Sequence, residues 1–423
     1  MPQTRNEIVF AHLMHKEFWF LASIGGAYGY YHTKPWAVMS SLNYFLMATV
    51  LTVTMLFLAY TNYLVMDNIS LVSQSSHIFV CGVVAITAIA TTSYERKKIA
   101  DFHDFFVNPY ICEYSRNDYF EGLKVVTQKK KKYYVIVFTA VYGACGVVGL
   151  LQPIIDWLLD RSFEKSLPNG VYLNLPLTMW SPIDLDNFAS AWVFMYWLQS
   201  SFVLYMAIMV SSAVILCFTI MDRILDQLKL LIYGVNQLDA RSKDLFKQRY
   251  PGSDFRCMTD EYDECYRECV LQNVKHHHLI KNLVKYFLDI AHIPLAVPFF
   301  GGAVLLGMAA ITLTAEDDPR VGPKCLAACL AISEAYNMYL LSYVGQRFQD
   351  LSGELYNALY FTKWYKRSVE TRKAIMLMRL GSYEPMKMVA AKMLILNMKL
   401  FGDLVNSAYS IFNLKAASKT ANG

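Results

Sequence analysis

The chain has 423 residues and a formal net charge of +5 at pH 7; 55% of its residues are hydrophobic and only 17% are charged. Soluble domains usually carry about 25% charged residues, so this composition excludes an ordinary soluble domain. Long apolar runs recur along the sequence and predict an all-α membrane protein, with residues 1–423 forming one multi-pass domain.

Seven apolar runs are long enough to cross a bilayer as helices. They follow a segment, residues 1–39, that lacks a convincing signal-peptide cleavage site and is predicted to be cytoplasmic. Each run is largely apolar rather than alternating, which favours helices over strands. The spans are predicted at residues 40–66, 71–94, 133–159, 188–220, 291–315, 325–344 and 388–414.

Lysine and arginine are concentrated in the connections after the second, fourth and sixth spans, as in the run Lys129–Lys132. Because positive residues are retained in the cytoplasm, this bias predicts a cytoplasmic N-terminus and an extracellular C-terminus. The acceptor sequence Asn68-Ile69-Ser70 then lies outside, where Asn68 is a glycosylation candidate. G-protein-coupled receptors have the opposite orientation, so this pattern argues against that class.

The helical pattern continues well beyond the apolar part of three spans. From Phe188 the apolar residues remain three and four apart to about Gln237, and similar extensions precede the fifth span and follow the sixth. These extensions predict a cytoplasmic anchor made of residues 221–290 and 345–387, in which the apolar stripes are buried together. The alternative is that these helices lie on the membrane surface.

Three stretches resemble the insect odorant receptor family. The predicted second outer loop and fourth span contain Trp180-Ser181-Pro182 and then Gln199. The end of the sixth span contains Gly345-Gln346-Arg347, and the last helix contains Tyr409-Ser410-x-Phe412. These matches occur in the family's order over most of the chain, and the orientation derived from the charges is also the family's.

The resemblance implies a ligand-gated, non-selective cation channel of four subunits in the plasma membrane of an olfactory neuron dendrite. In the family the seventh helix of each subunit lines a central pore, the odorant pocket lies in the outer half of the bundle, and subunits meet through the cytoplasmic helices. An obligate co-receptor completes the heterotetramer. This chain resembles an odorant-tuning subunit, because it lacks the co-receptor's C-terminal ending and its long insertion after the fourth span.

The last predicted span carries a polar stripe. At about 100° per residue, its polar residues fall within about 80° of one line on the helix. They are Asp403, Asn406, Ser407, Ser410 and Asn413. Polar groups in a membrane are retained where they meet water or one another, so the stripe is predicted to line a pore, with Leu414 on the same side as an apolar gate. Alternatively, it hydrogen-bonds to neighbouring helices.

A pocket for a volatile, hydrophobic ligand should be apolar, with aromatic walls and few polar groups. Candidates lie in the outer halves of the second, third, fourth and sixth spans. They are Phe79, Val83, Gly146, Gly149, Trp192, Phe194, Met195, Tyr196, Gln199, Tyr336 and Tyr339. Packing is the simpler explanation for any single aromatic side chain, and it is their clustering at one depth that indicates a pocket. Glu334 is an acid deep in an outer helix half, where it either binds a polar group of the ligand or has a structural role.

Other patterns indicate no further chemistry. Cys257, Cys265, Cys269 and His276–His278 do not have zinc-site spacing, so no metal or other cofactor is expected. Phosphate loops and catalytic spacings are absent from the sequence, so we expect no enzyme, and the basic run beside the membrane favours contact with anionic lipid rather than nucleic acid. Two alternatives remain: a gustatory-type channel for a more polar ligand, and a non-channel receptor or transporter.

Overall fold

The structure, a computed structural model, describes residues 5, 34–102, 105, 114, 116–159, 166–252 and 259–421. The helices are α1 (Lys34–Leu64), α2 (Ile69–Tyr94), α3 (Arg96–Asp101), α4 (Asp118–Leu158), α5 (Ala189–Asn236), α6 (Leu238–Arg249), α7 (Asp260–Leu313), α8 (Gly322–Phe361), α9 (Val369–Gly381) and α10 (Met398–Ala421). A 3-10 turn, Trp364–Lys366, follows α8. Two antiparallel hairpins pair β1 (Val171–Tyr172) with β2 (Met179–Trp180), and β3 (Val389–Ala390) with β4 (Leu394–Ile395).

Six of the described helices, α1, α2, α4, α5, α7 and α8, are long and apolar enough to span a membrane. They correspond to the first six predicted spans. Helix α10 has 24 residues but does not belong to this set. Its sequence includes Lys399, Asp403 and Lys415, which make it more polar than the other six.

The helix limits differ from the predicted spans because hydropathy marks where a helix is apolar, not where it begins. Helix α4 starts at Asp118, 41 residues in all, and its first turns are polar. The predicted seventh span, residues 388–414, is wrong at its start. Residues 389–395 form the β3–β4 hairpin, which turns through Ala391 and Lys392 at φ values of 47° and 60°, and these angles are incompatible with an α-helix.

Four helices, α4, α5, α7 and α8, are far longer than a bilayer is thick. Helix α7 has 54 residues, or about 80 Å at ~1.5 Å per residue, against ~30 Å of hydrocarbon. The polar half of α7 packs on α5, α6, α8 and α9. Tyr262, Cys265 and Tyr266 of α7 and Leu355 of α8 are fully buried there. The apolar stripes of these extensions are therefore buried against one another, while their place in the cytoplasm stays a prediction.

A buried arginine links the elements of this inner bundle. Arg367 is 7% exposed, and its guanidinium lies 4.1 Å from the ring centroid of Tyr266 and 4.8 Å from that of Tyr262. Its Nη2 also donates to Asp239 at the start of α6 at 3.3 Å. Cation–π contacts and an ion pair thus connect the segment after α8 to both α6 and α7.

The β3–β4 hairpin crosses α8 at Gly345. A Cβ placed on this glycine would lie 2.3 Å from the carbonyl oxygen of Leu396, which follows β4. The backbone N–H of Ala391 donates to the carbonyl oxygen of His292 on α7 at 2.9 Å. The hairpin is therefore fixed between α7 and α8, and it sets the point at which α10 begins. The glycine of the Gly345-Gln346-Arg347 stretch has a steric role in this crossing.

The opposite end of the bundle is closed by a polar cluster around Arg320, which is 2% exposed. Its guanidinium donates to Asp318 at 2.7 Å, to Gln74 Oε1 of α2 at 2.9 Å and to Thr178 Oγ1 beside β2 at 3.1 Å. Burial by itself raises the pKa of the Asp318 carboxyl, but hydrogen bonds from Arg320 and Gln74 and the arginine's charge hold that pKa below its ordinary value. The cluster connects α2, the β1–β2 segment and the approach to α8.

Two prolines interrupt the hydrogen bonding of α7. Pro294 and Pro298 lie inside the helix, and proline has no backbone N–H. The carbonyl oxygens four residues earlier, those of Ile290 and Pro294, therefore lack their helical donors. Pro298 is buried against the other helices.

Candidate functional site

A small cavity lies in the half of the bundle near the Arg320 cluster. Its volume is about 30 Å³, and α2, α4, α5, α8 and the loop between β1 and β2 all contribute to it. We call it the outer cavity. It is lined by Ile78, Cys81, Val84, Tyr142, Cys145, Gly146, Leu177, Val203, Met206, Ala207, Val210, Leu326, Leu330 and Glu334. The lining is predominantly apolar, as a site for a small hydrophobic ligand requires.

A second and larger cavity continues towards the inner bundle. Its volume is about 120 Å³, and it lies among α2, α3, α5, α7 and α8. We call it the inner cavity. Phe102, Phe218 and Phe287 form aromatic parts of its wall, and both prolines of α7 border it. The two cavities have Val84, Val210 and Glu334 in common.

Four buried polar residues line these cavities: Thr92, whose hydroxyl donates to carbonyl oxygens of α2, and the three described next. Tyr142 lines the outer cavity, Asn337 the inner one and Glu334 both, and their exposed fractions are 6%, 3% and 6%. The Tyr142 hydroxyl and the Asn337 Oδ1 atom make no hydrogen bond. Within the described part of the chain, no Lys, Arg or His side chain forms an ion pair with Glu334.

Of the four predicted pocket residues on α2 and α4, one lines the outer cavity and three do not. Gly146 lines the outer cavity, and Gly149 instead packs against Val203, to which a Cβ would come within 3.2 Å. Phe79 is half-buried in the core, whereas Val83 is 37% exposed. The α2 face that lines the cavity is that of Ile78, Cys81 and Val84, which at about 100° per residue is opposite the predicted face of Phe79 and Val83.

On α5 the predicted residues lie in the helical turns that precede the cavity-lining residues in the sequence. Met195 and Gln199 are buried, Trp192 and Tyr196 are half-buried, and Phe194 is 52% exposed; none lines either cavity described above. Gln199 nevertheless positions the outer cavity wall, because its Oε1 accepts a hydrogen bond from the backbone N–H of Leu177 at 2.8 Å.

Sequence reasoning missed the α5 residues that form the wall itself. These are Val203, Met206, Ala207 and Val210. Continuing the face of Met195 and Gln199 by steps of three and four residues reaches them. The sequence therefore did contain a signal for these wall residues: the same helical periodicity, continued beyond Gln199.

The two predicted tyrosines of α8 point away from both cavities. The Tyr336 hydroxyl lies 2.9 Å from that of Tyr133 on α4, and its ring centroid is 5.8 Å from that of Phe138. The Tyr339 ring contacts Phe401 of α10, with centroids 5.7 Å apart. The α8 face that borders the outer cavity carries Leu326, Leu330 and Glu334.

Helix α10 packs on α7 and α8 through Leu400, Phe401 and Leu404. Its predicted stripe points the other way: Asp403, Asn406, Ser407, Ser410 and Asn413 are all exposed in the single chain. The Ser407 hydroxyl donates to the carbonyl oxygen of Asp403 at 2.8 Å, and Ser410 to that of Asn406 at 2.9 Å. Leu414 falls within α10, but its side chain lies outside the described residues.

The remaining candidates have structural roles. The side-chain oxygen of Asn68 accepts from the N–H of Leu71 at 3.0 Å and so caps α2, while its glycosylation stays a prediction. Across the described residues, no three His, Cys, Asp or Glu side chains are grouped to hold a metal. His276 is instead hydrogen-bonded to Tyr114 and Gln227. Cys257 lies outside the described residues.

A family profile described as 7tm Odorant receptor matches residues 68–409. The chain belongs to the odorant receptor family. The fold of this receptor is also that of two solved structures of the insect olfactory receptor OR5 from Machilis hrabei. The complex with eugenol has a TM-score of 0.72 at 13% identity, and OR5 without that ligand has 0.70 at 12%. Each alignment covers 96% of this receptor and 98% of OR5.

No curated protein sequence matches the receptor significantly. The family is one of receptors rather than enzymes, and the six long apolar helices together with the family make this receptor a multi-pass membrane protein. At this low identity the two OR5 structures establish the fold alone. What the receptor binds and whether it conducts ions must therefore be argued from its own residues.

Proposed function

We propose that the receptor is the odorant-binding subunit of a ligand-gated, non-selective cation channel in the plasma membrane. A volatile hydrophobic ligand binds in the outer cavity, and α10 lines the pore. The N-terminus is cytoplasmic and the C-terminus extracellular. The observation that carries the proposal is the arrangement of α10, which packs on its own subunit through apolar residues and presents every polar residue of the stripe away from it.

A single subunit cannot enclose a pore with one exposed helix face. Around an axis, several copies of α10 would place their polar stripes towards one another and towards water, which removes the cost of leaving those groups in lipid. We therefore propose a heterotetramer with the obligate co-receptor, joined mainly through the inner bundle. Exposed apolar side chains there, including Leu377 and Leu380 of α9 at 68% and 71% exposure, support a further interface on this part of the molecule.

The ligand part of the proposal is tested by filling the outer cavity. Gly146 lines this cavity, whereas Gly143, one turn earlier on α4, is exposed, and a Cβ placed on it would have no atom within 4 Å. Gly146→Leu should abolish odorant-evoked currents by occupying the ligand's space, and Gly143→Leu should leave them unchanged. The measurement is voltage clamp of cells that express the receptor with the co-receptor, screened with esters, terpenes and aldehydes.

The channel part is tested in the same cells by blocking G-protein signalling. Currents that persist under the block support a pore formed by the subunits themselves. Currents that disappear would show that the receptor signals through another protein, and the channel proposal would be wrong.

A further inference from the structure

Glu334 occupies the junction of the two cavities. It is on the face of α8 that carries Leu326 and Leu330, and it is the acidic residue among the groups that line both spaces. It is only 6% exposed, and it lies in the middle of a helix that is long and apolar enough to span the membrane. A carboxylate in such a position is costly unless a partner stabilises it.

The residues around Glu334 do not supply that partner. Within the described chain Glu334 has no ion pair, and its neighbours Cys81, Cys145 and Tyr142 carry no positive charge. Among the residues that line the two cavities, the unpartnered side-chain oxygens are the Tyr142 hydroxyl and the Oδ1 of Asn337, which lies three residues after Glu334 on α8. The carboxylate oxygens and Oδ1 are acceptors, and the hydroxyl oxygen also accepts. The junction therefore has an excess of hydrogen-bond acceptors.

An ammonium group is the chemical complement of this arrangement. It carries three N–H donors, no acceptor and one positive charge, so a single group can pair with the carboxylate and donate to the neighbouring oxygens. An ester or aldehyde carbonyl offers only acceptors and leaves the carboxylate unpaired. A hydroxyl donates once and brings no charge.

The inner cavity provides space for the apolar part of such a ligand. Its volume of about 120 Å³ is close to the roughly 150 Å³ of an apolar engineered cavity that holds benzene. Its wall is aromatic and aliphatic, with Phe218 and Leu295 among the lining residues. Glu334 is one of the residues that line this space, so an ammonium group paired with it can carry an apolar body into the inner cavity.

We propose that the junction of the outer and inner cavities is a binding site for small lipophilic primary amines, whose ammonium group pairs with Glu334 while the apolar body occupies the inner cavity. This assignment extends the proposed odorant site from the outer cavity, past the shared residue Glu334, into the inner cavity. It names the ligand class of that site and rests on the proposed function. Tyr142 and Asn337 accept or orient the remaining N–H groups.

The test measures binding to the purified full-length receptor, so that it does not depend on ion conduction. The probes are 2-phenylethylamine and propylbenzene, which share a skeleton and differ in ammonium against methyl. The amine should raise the melting temperature of the receptor and bind at least about tenfold more tightly than propylbenzene, as expected for a charged hydrogen bond in a buried site. Equal affinities for the two probes would overturn the proposal.

Two variants locate the amine. Glu334→Gln keeps the shape of the side chain and removes the charge, so 2-phenylethylamine should bind about tenfold or more weakly, while propylbenzene should be unaffected. Glu354→Gln makes the same change at an exposed position of α8 and should alter neither. Tyr142→Phe, which removes only an unpartnered hydroxyl, should weaken the amine by a smaller factor and provides a second reading if Glu334→Gln does not fold. Unchanged amine binding in a folded Glu334→Gln or Tyr142→Phe receptor would contradict the assignment.

Voltage clamp with the co-receptor separates this inference from the proposed function. Neutral odorants that open the channel while amines bind no better than their hydrocarbon isosteres would refute the amine site alone. Tight amine binding to the purified receptor, with no ligand opening a channel, would support the amine site and refute the channel proposal.

Discussion

At the scale of single residues, Arg320 and Asp318 illustrate how a buried charge is stable only while its oppositely charged partner is present. Replacing Arg320 with Leu leaves the Asp318 carboxylate buried without its cation, which should lower the free energy of unfolding by about 3–5 kcal/mol. Arg347→Leu is the control, because its pair with Asp350 spans 3.9 Å at the surface and contributes about 0–1 kcal/mol. Thermal unfolding of the purified variants measures both, and equal losses would contradict the role given to burial.

The same cluster predicts a dependence on pH. Because the pKa of Asp318 is lower in the folded receptor, its stabilising effect is fully present above the ordinary value of about 3.9 and is lost as pH falls through the folded value. The melting temperature should therefore decline more steeply below about pH 4 in the wild type than in Asp318→Asn. Parallel declines would show that other carboxyl groups dominate acid unfolding.

Individual pocket residues were only partly predictable. Gly146 lines the outer cavity, yet the predicted α2 residues Phe79 and Val83 lie on the opposite face of the helix from Ile78 and Val84. In a membrane helix both the lipid face and the buried face are apolar, so composition does not determine which side faces the cavity. That rotation is set by contacts with other helices, which one sequence does not contain.

At the scale of elements, the β3–β4 hairpin depends on a single close approach. Gly345→Ala should destabilise the receptor or displace the hairpin, because the new methyl group would meet the Leu396 carbonyl at 2.3 Å. Gly353→Ala, on the same helix, has no neighbour within 4 Å and should be neutral or stabilising by about 0.5–1 kcal/mol. Thermal unfolding distinguishes the two, and a neutral Gly345→Ala would show that the crossing tolerates a side chain.

Helix α10 permits a direct test of which face meets water. Cysteines at Asn406 and Ser410, on the exposed polar side, should react with water-soluble thiol reagents when ligand has opened the channel. A cysteine at Leu404, which packs against the core, should not react. Modification followed by a change in current is the measurement. Equal reactivity at Leu404, or none at the polar positions, would be inconsistent with a pore along this edge.

Among the elements, long helices were the most predictable and the hairpin the least. Apolar spacing alone indicated that the helix from Phe188 continues to about Gln237, and α5 occupies Ala189–Asn236. By contrast, residues 389–395 are as apolar as a membrane helix, and their turn uses Ala391 and Lys392 at positive φ. Neither residue type favours that conformation, so the sequence carried no turn signal there.

At the scale of the whole molecule, the sequence of α10 predicts dependence on other subunits. Lys415 is adjacent to the proposed gate position Leu414, and four such charges around a narrow pore would repel one another and passing cations. The receptor expressed alone should give small currents, and co-expression with the co-receptor should restore them. Robust odorant currents from the receptor alone, recorded at matched surface expression, would contradict this prediction.

More of the overall architecture than of the site could be predicted, because the architecture depends on hydropathy and helical periodicity, which can be read from each segment of the sequence by itself. Hydropathy and periodicity gave the six apolar helices, and the quoted stretches led to the family that the profile match identifies. The cavities depend instead on how α2, α5 and α8 are rotated about their axes and on the depth in the bundle at which these helices contact one another. Orientation in the membrane and assembly into four subunits stay predictions, since they concern surroundings that a single chain does not include.

The prolines of α7 give the inner cavity a mechanical significance. A helix resists bending because backbone hydrogen bonds join each turn to the next. At Pro294 and Pro298 two of those hydrogen bonds are missing. Both residues border the space proposed for the ligand body. A ligand body there would contact α7 at the turns that lack these hydrogen bonds, and the same helix, about 80 Å long, also holds the hairpin that precedes α10. A small change in the bend angle of α7 at these prolines would displace the two ends of the helix by a much larger distance.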